Sequence, residues 1–279
     1  MQGKMSVSEV EALGYYDFMA YLNVPFFNIG GNESLDVLAE RCKLGPDTHL
    51  LDVGCGTGGN SAYLASKYGC KVTGIDISEM MVEKAKERAT ENGMEDVLDF
   101  HVGDAYNLEY PDNHFDVVLT VFVSQFLDIE QAFPEFLRVI KPGGYLGINE
   151  MYRDDSVPPD LVDKVDDGES IFRQLTGLPF QLRAPSEWEI GLKNANFTQV
   201  LVEPFRNYVN VTRGMKIVED MGGWAYLIST LWHTIELGLK SKKIRKKYGD
   251  ISKGKRVLVN DKVTSKYIGY VLGVGKKGV

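Results

Sequence analysis

Short apolar runs rich in valine, isoleucine and leucine recur at 50–53, 71–75, 97–102, 115–121 and 145–149. Continuous runs of this length are what strands buried on both faces of a parallel sheet require. Between them, 60–68 and 79–92 have helical length, and Ser78 stands where the second of these helices needs an N-cap. The charges of that helix, Glu83, Lys84, Lys86, Glu87, Arg88 and Glu91, read as a solvated face and are assigned no function. The order of strand, turn, helix and strand predicts an α/β fold.

The first strand closes on Asp52-Val53-Gly54-Cys55-Gly56-Thr57-Gly58-Gly59. Gly54, Gly56 and Gly58 allow positive backbone dihedrals and carry no Cβ, so a ligand can lie against the main chain at a helix N-terminus. The second strand ends at Asp76, a carboxylate placed to accept hydrogen bonds from ribose hydroxyls. As a bare pattern, Gly54, Gly56 and Gly59 also fit the dinucleotide fingerprint, so the glycines alone do not separate NAD from other adenosine ligands. Asp52 argues against a pyrophosphate beside it and suits a ligand with an ammonium group, as in S-adenosylmethionine; its plain reading is a turn acid satisfied by neighbouring amides. A second acid, Asp104, follows the third strand in Gly103-Asp104-Ala105, and Ile140-Lys141-Pro142-Gly143-Gly144 follows the fourth after a helical stretch.

In these ordered motifs, from about Leu50 to Glu150, the chain resembles the class I S-adenosylmethionine-dependent methyltransferases, with the quinone-biosynthesis and phosphoethanolamine methyltransferases as the subgroup. The resemblance implies a Rossmann-like seven-stranded sheet with helices on both faces, an N-terminal helical cap and a helical insertion before the last strand. It implies that Gly54, Gly56 and Gly58 pass under the methionine part of S-adenosylmethionine, that Asp76 takes the ribose, and that Asp104 with Ala105 flanks the adenine. Ile77 would pack on the adenine face and Val121 would offer backbone to the adenine amino group. Ile77 and Val121 also read as ordinary packing residues. By the same resemblance 185–197 is the last helix before a strand at 198–203, and the closing strand is 267–274.

These boundaries divide one methyltransferase domain, 1–279, into a cap at 1–45, a cofactor-binding core at 46–203, an insertion or lid at 204–266 and a last strand with tail at 267–279. In the cap, Val10, Leu13, Phe18 and Leu22 have roughly helical spacing over 8–22, with Tyr15 and Tyr16 in the middle. Either ring can cover the transferable methyl group or simply pack; Tyr16 is the one taken as a cofactor contact. The following Phe26-Phe27-Asn28-Ile29-Gly30-Gly31 resembles the Gly-Gly element of small-molecule and lipid methyltransferases, which would set Gly31 near the methionine end. Ser34 replaces the threonine usual in that subgroup.

In the insertion, Trp224, Tyr226, Leu227, Leu231, Trp232 and Ile235 are followed by nine Lys and Arg against Asp250 between Lys240 and Arg256. The whole chain carries −8, so this segment reverses the sign of an acidic body. Three readings stand: a lid helix with a solvated basic tail, peripheral membrane contact through 224–256, or cations that hold a phosphate or carboxylate of the substrate. An acidic body argues against nucleic acid as partner. The 1–11 segment lacks an apolar core of signal-peptide type and no run approaches a membrane span, which predicts a cytoplasmic protein, peripheral to a membrane if 224–256 binds one. Cys42, Cys55 and Cys70 are scattered, which predicts reduced thiols and no metal site.

Candidates for acid–base work are few. Glu150 ends the fifth strand on the ligand side of the sheet, where it can bind a cationic amine, act as a base or cap a loop. His233 is the one histidine in the insertion and Gln125 follows the fourth strand, where many relatives carry histidine. His49, His101 and His114 read as structural. The predicted reaction is in-line displacement at the sulfonium methyl by a small-molecule or lipid-like acceptor, with a membrane-associated or regulatory S-adenosylmethionine-binding protein without turnover as the alternative. The sequence leaves the acceptor and the oligomeric state open.

Overall fold

The computed structural model describes residues 5–25, 28, 30–206 and 211–279. Two short helices, α1 (Val7–Ala12) and α2 (Tyr15–Tyr21), precede α3 (Gly31–Arg41). The core then alternates: β1 (His49–Val53), α4 (Gly59–Tyr68), β2 (Lys71–Asp76), α5 (Glu79–Glu91), β3 (Leu98–Val102), β4 (Phe115–Val121), α6 (Ile129–Val139) and β5 (Ile140–Arg153). After it come α7 (Pro159–Thr176), α8 (Pro185–Asn194), β6 (Thr198–Arg206), α9 (Val211–Asp220), α10 (Gly223–Lys240), α11 (Lys242–Lys255) and β7 (Ile268–Lys276).

The seven strands form one sheet in the order β3-β2-β1-β4-β5-β7-β6. The first five pair in parallel, whereas β7 runs antiparallel to both β5 and β6. The order of strand addition reverses between β1 and β4, which remain parallel, so the carboxyl ends of β1, β2 and β4 open a crevice at the switch point. The apolar run of β4 follows from its place at the centre, where every residue but Asp116 is buried. The edge strand β3 instead alternates, burying Leu98 and Phe100 while Asp99 and His101 face solvent.

Helices cover both faces. On one, Phe133, Phe136, Trp188 and Leu192 of α6 and α8 pack on Leu51, Val118 and Ile148; on the other, Leu35, Leu64 and Ala85 of α3, α4 and α5 pack on Leu50, Val72 and Leu119. The Rossmann-like seven-stranded fold with an N-terminal cap and a helical insertion before the last strand is therefore present. Cys42, Cys55 and Cys70 are buried free thiols.

Three details differ from the sequence reading. The helical stretch at 8–22 is two helices, because Leu13 and Gly14 are extended and Gly14 has no side chain to hold a helical turn. The closing strand begins at Ile268 and runs to Lys276, and β6 extends to Arg206 because it pairs with β7 along that length. Helix α7 falls where no element was expected. It buries little more than Val165, Gly168 and Glu169, and the remaining charges obscure its apolar face. Phe26, Phe27 and Ile29 of the Gly-Gly element lie outside the described residues.

Candidate active site

The crevice at the carboxyl ends of β1, β2 and β4 is a cleft of about 1040 Å³ counted to its open mouth. Its floor is the turn between β1 and α4. The amides of Gly54 and Cys55 donate to Ile75 O at 2.7 and 2.9 Å, stitching the turn to the end of β2. Gly54 has φ +72° and a Cβ there would stand 2.3 Å from Val123 Cγ2, so the side chain after β4 closes over the glycine itself. Gly56 has φ +54° and nothing within 4 Å of a Cβ position, which leaves open space against the main chain.

Asp76 stands beside this turn. Its Oδ2 accepts from Gly56 N at 3.0 Å and its Oδ1 from Ser78 N at 2.9 Å, so the carboxylate is fixed while each oxygen retains acceptor capacity. Burial pushes its pKa up against those hydrogen bonds. Ser78 caps α5 through Met81 N and donates to Asp17 Oδ1 at 2.6 Å, which ties the cap to the end of β2. Ile77 is 66 % exposed, an apolar side chain at the rim with no protein over it. Asp104, Ala105 and Tyr106 form the opposite rim, where Asp104 Oδ1 accepts from Tyr106 N at 2.9 Å.

The cap side consists of Tyr16, Val24 and Pro25, and the far end of Phe126, Leu127 and Leu178. The Tyr16 ring meets Phe126 edge-on at 6.1 Å and Tyr15 at 5.3 Å. Burial holds the Tyr16 hydroxyl well above its ordinary pKa and that of Tyr15 at about 12, so both are neutral donors. Tyr16 lines the cleft, whereas Tyr15 packs in the cap cluster behind it.

Of the expected cofactor contacts, Tyr16, Gly54, Gly56, Asp76, Ile77, Asp104, Ala105 and Val121 line the cleft together. Gly58, Gly31 and Asp52 do not. Gly58 caps α4 in a left-handed conformation with Ala85 and Phe100 against it. Gly31 belongs to a buried polar knot in which Asn28 Nδ2 donates to Gly31 O and to Ser34 Oγ, both at 3.0 Å, and Asn149 Nδ2 donates to Ser34 Oγ at 2.9 Å. Asp52 is buried behind the turn, where it accepts from Ser61 Oγ at 2.5 Å and desolvation pushes its pKa up to about 6. Its carboxylate is held by a helix hydroxyl, not presented to the cleft.

The three acid–base candidates also lie outside the lining. Glu150 is fully buried and accepts from the amides of Val123, Ser124 and Gln125 at 3.2, 2.8 and 3.4 Å. Desolvation pushes its pKa up to about 7, against the pull of those hydrogen bonds. Its role is to shape the turn after β4, where Phe122 takes φ +61° and, with Val123, faces the cleft. Gln125 Oε1 accepts from Met151 N at 2.8 Å and so fixes β5 to the same turn. The His233 ring on α10 meets Tyr21 at 5.4 Å, tilted by 38°. Sequence reasoning missed Thr57, Asn60 and Tyr106 as lining residues. Asn60 has a buried Oδ1 without a partner in the first turn of α4, and its position just after the glycine turn was the available signal.

A family model described as a methyltransferase domain matches residues 51–148, the stretch that holds the glycine turn, Asp76 and Asp104. The chain carries a methyltransferase domain. Phosphoethanolamine N-methyltransferase 1 of Zea mays is 30% identical over 196 residues, 70% of this chain and 37% of that protein. The 2-methyl-6-phytyl-1,4-hydroquinone methyltransferase of Synechocystis is 46% identical over 119 residues, 42% of this chain and 36% of that protein. The chain thus spans about a third of the length of these curated relatives. Among solved structures, the [4+2]-cyclase SpnF superposes with a TM-score of 0.65 at 25% identity, over 88% of this chain and 79% of that one. The methyltransferase domain of this chain therefore sits on a scaffold that also serves another chemistry.

The two glycines of its turn make different demands. Gly54→Ala is expected to cost about 2 kcal/mol of stability or more in urea unfolding, since it adds a left-handed strain to a clash with Val123. Gly56→Ala adds the strain alone, about 1 kcal/mol. Equal losses for the two would show that Val123 does not clamp the turn.

Proposed function

We propose that this protein transfers a methyl group from S-adenosylmethionine to a small-molecule or lipid-like acceptor, releasing S-adenosylhomocysteine. The observation that carries the reading is the cleft itself, with an open glycine turn, a fixed Asp76 carboxylate beyond β2 and an exposed Ile77 and Asp104 at the rim. These match an adenosine: Asp76 accepts from the ribose hydroxyls, Ile77 covers one face of the base and Asp104 borders its edge. The unpartnered Asn60 Oδ1 is an acceptor for the ammonium of the methionine end. The sulfonium supplies an electrophilic methyl carbon. The acceptor atom forms its new bond as the carbon–sulfur bond breaks in line, and its proton is released to solvent as the product leaves the cleft.

The two carboxylates of the described lining, Asp76 and Asp104, are committed to the adenosine in this reading, so the chain contributes position and dryness rather than a base. Tyr16, Phe126, Leu127 and Leu178 enclose the end of the cleft and exclude water from the attacking side. The neutral Tyr16 hydroxyl donates to one lone pair of an acceptor oxygen and leaves the other for attack, or accepts from the N–H of an acceptor amine so that the nitrogen lone pair stays free. A lipid-like acceptor suits this apolar end, and peripheral membrane contact through 224–256 would bring such a substrate to it.

The test is formation of S-adenosylhomocysteine, followed by mass spectrometry, with phosphoethanolamine and with a prenylated hydroquinone offered separately. Acceptor-dependent product with either is the expected result. Binding of S-adenosylmethionine without product in any acceptor-containing extract would instead favour a cofactor-binding protein without turnover.

A further inference from the structure

Helix α10 turns its apolar side away from the protein. Its inward side is defined by three contacts. Tyr226 Oη donates to Asn23 O at 3.1 Å, the His233 ring lies 5.4 Å from Tyr21, and Leu237 is buried with Phe18 and Met19 of α2. On the opposite side Trp224, Ile228, Leu231, Trp232, Ile235 and Leu239 are each between 45% and 77% exposed. Their spacing of three and four residues keeps them within roughly 100° of arc, a strip about 22 Å long. The charged residues of the helix, Glu236 and Lys240, pair with each other at its flank. An amphipathic helix normally buries its apolar face, so a strip of this size facing outward signals an interaction surface.

The start of α11 adds a cationic collar. Lys242, Lys243, Arg245 and Lys246 are exposed, and Arg245 Nε donates to Gly238 O at 3.0 Å, which folds the collar against the end of the strip. In a chain of net charge −8 this is a local reversal of sign.

We propose that α10 and the first turns of α11 dock on an anionic lipid bilayer, with α10 lying in the membrane plane. The two halves of the surface select this occupant together. Hydrocarbon takes the strip, the two outward indoles suit the headgroup boundary, and lipid phosphates neutralise the collar. A second copy of this chain would cover the strip through apolar contact, and the dimerisation arm of the test below distinguishes that occupant. No described helix is long and apolar enough to cross a membrane, which leaves the in-plane orientation. The inward side of α10 holds Asn23, next to Val24 and Pro25 of the cleft, so the docked protein sets its cap one helix away from the lipid.

The inference stands apart from methyl transfer, and its test needs no turnover. The full chain is floated with vesicles of phosphatidylcholine alone and of phosphatidylcholine with phosphatidylglycerol. Binding to the anionic vesicles is expected, weakened by salt, with a blue shift of tryptophan emission from Trp224 and Trp232; Trp188 is fully buried and stays constant. Paired Leu231→Ser and Trp232→Ser changes are expected to lower partitioning about tenfold or more. Lys242→Gln, Arg245→Gln and Lys246→Gln should each lower it about fivefold. A protein that stays in solution with anionic vesicles at low salt overturns the proposal. So does concentration-dependent dimerisation that the strip changes abolish while vesicle binding is unaltered. Retained S-adenosylhomocysteine binding by the variants shows that they are folded.

Discussion

Replacing Asp76 by alanine is expected to weaken binding of S-adenosylhomocysteine by about 100-fold or more. Two hydrogen bonds from ribose hydroxyls to a carboxylate are worth roughly 1.5–3 kcal/mol each, and losing both removes at least one factor of ten apiece. The same change frees the amides of Gly56 and Ser78, which Asp76 now fixes, so the turn under the ligand also loses its tie to β2. Asp76→Asn keeps one oxygen and the shape of the side chain and should fall about tenfold. Titration calorimetry reads both, with melting of the unliganded variants as the check on folding. An affinity within threefold of the parent for Asp76→Ala would remove Asp76 from the ribose site.

Glu150 controls stability and its pH dependence. Its pKa in the folded protein is about 7 against an ordinary 4.5, so the folded state binds the proton more tightly than the unfolded chain. Stability from this group is therefore complete below pH 4.5 and is lost as pH rises through 7, by roughly 3 kcal/mol. Asp52, at about 6 against 3.8, adds a slope of the same sign at lower pH. Glu150→Gln keeps an acceptor for Val123 and Ser124 but has no proton to bind. Urea unfolding should find it close to the parent at pH 5 and more stable than the parent by pH 8, where the parent buries a charge. Glu150→Ala leaves three buried amides without an acceptor and is expected to cost about 3–5 kcal/mol at every pH. Because Val123 roofs Gly54, the alanine variant should also bind cofactor more weakly. An unchanged slope in Glu150→Gln would mean that Glu150 is already ionised in the native turn.

The parallel half of the sheet was legible because its central strands are buried on both sides and so have unbroken apolar runs, as in Phe115–Val121. The glycine turn and Asp76 were legible for a related reason: both sit at strand ends, where sequence neighbours are also spatial neighbours. The roles of Glu150 and Asp52 were not, because each is decided by partners elsewhere in the chain. Glu150 ends a strand on the ligand side of the sheet but is captured by amides 25 to 27 residues earlier. Asp52 meets a hydroxyl nine residues on. Periodicity likewise shows that α10 has an apolar side but not which way it points. That depends on Tyr21 and Asn23, which precede the whole core.

The segment that carries α9, α10 and α11 leaves and re-enters the sheet at one place. Arg206 at the end of β6 pairs with Gly269 of β7, and Phe205 stacks on Tyr270 at 5.0 Å just inside that neck. Gly269 is required there, since a Cβ would stand 2.1 Å from Phe205 O. With its ends clamped by strand pairing, a replacement segment changes the closure entropy by only about 0.6 kcal/mol for each doubling of its length. The sheet and its glycine turn need not register such an exchange. The segment is a cassette: on one sheet with its glycine turn, evolution or an engineer can trade everything between Arg206 and Gly269, and with it the outward strip of α10, in a single recombination.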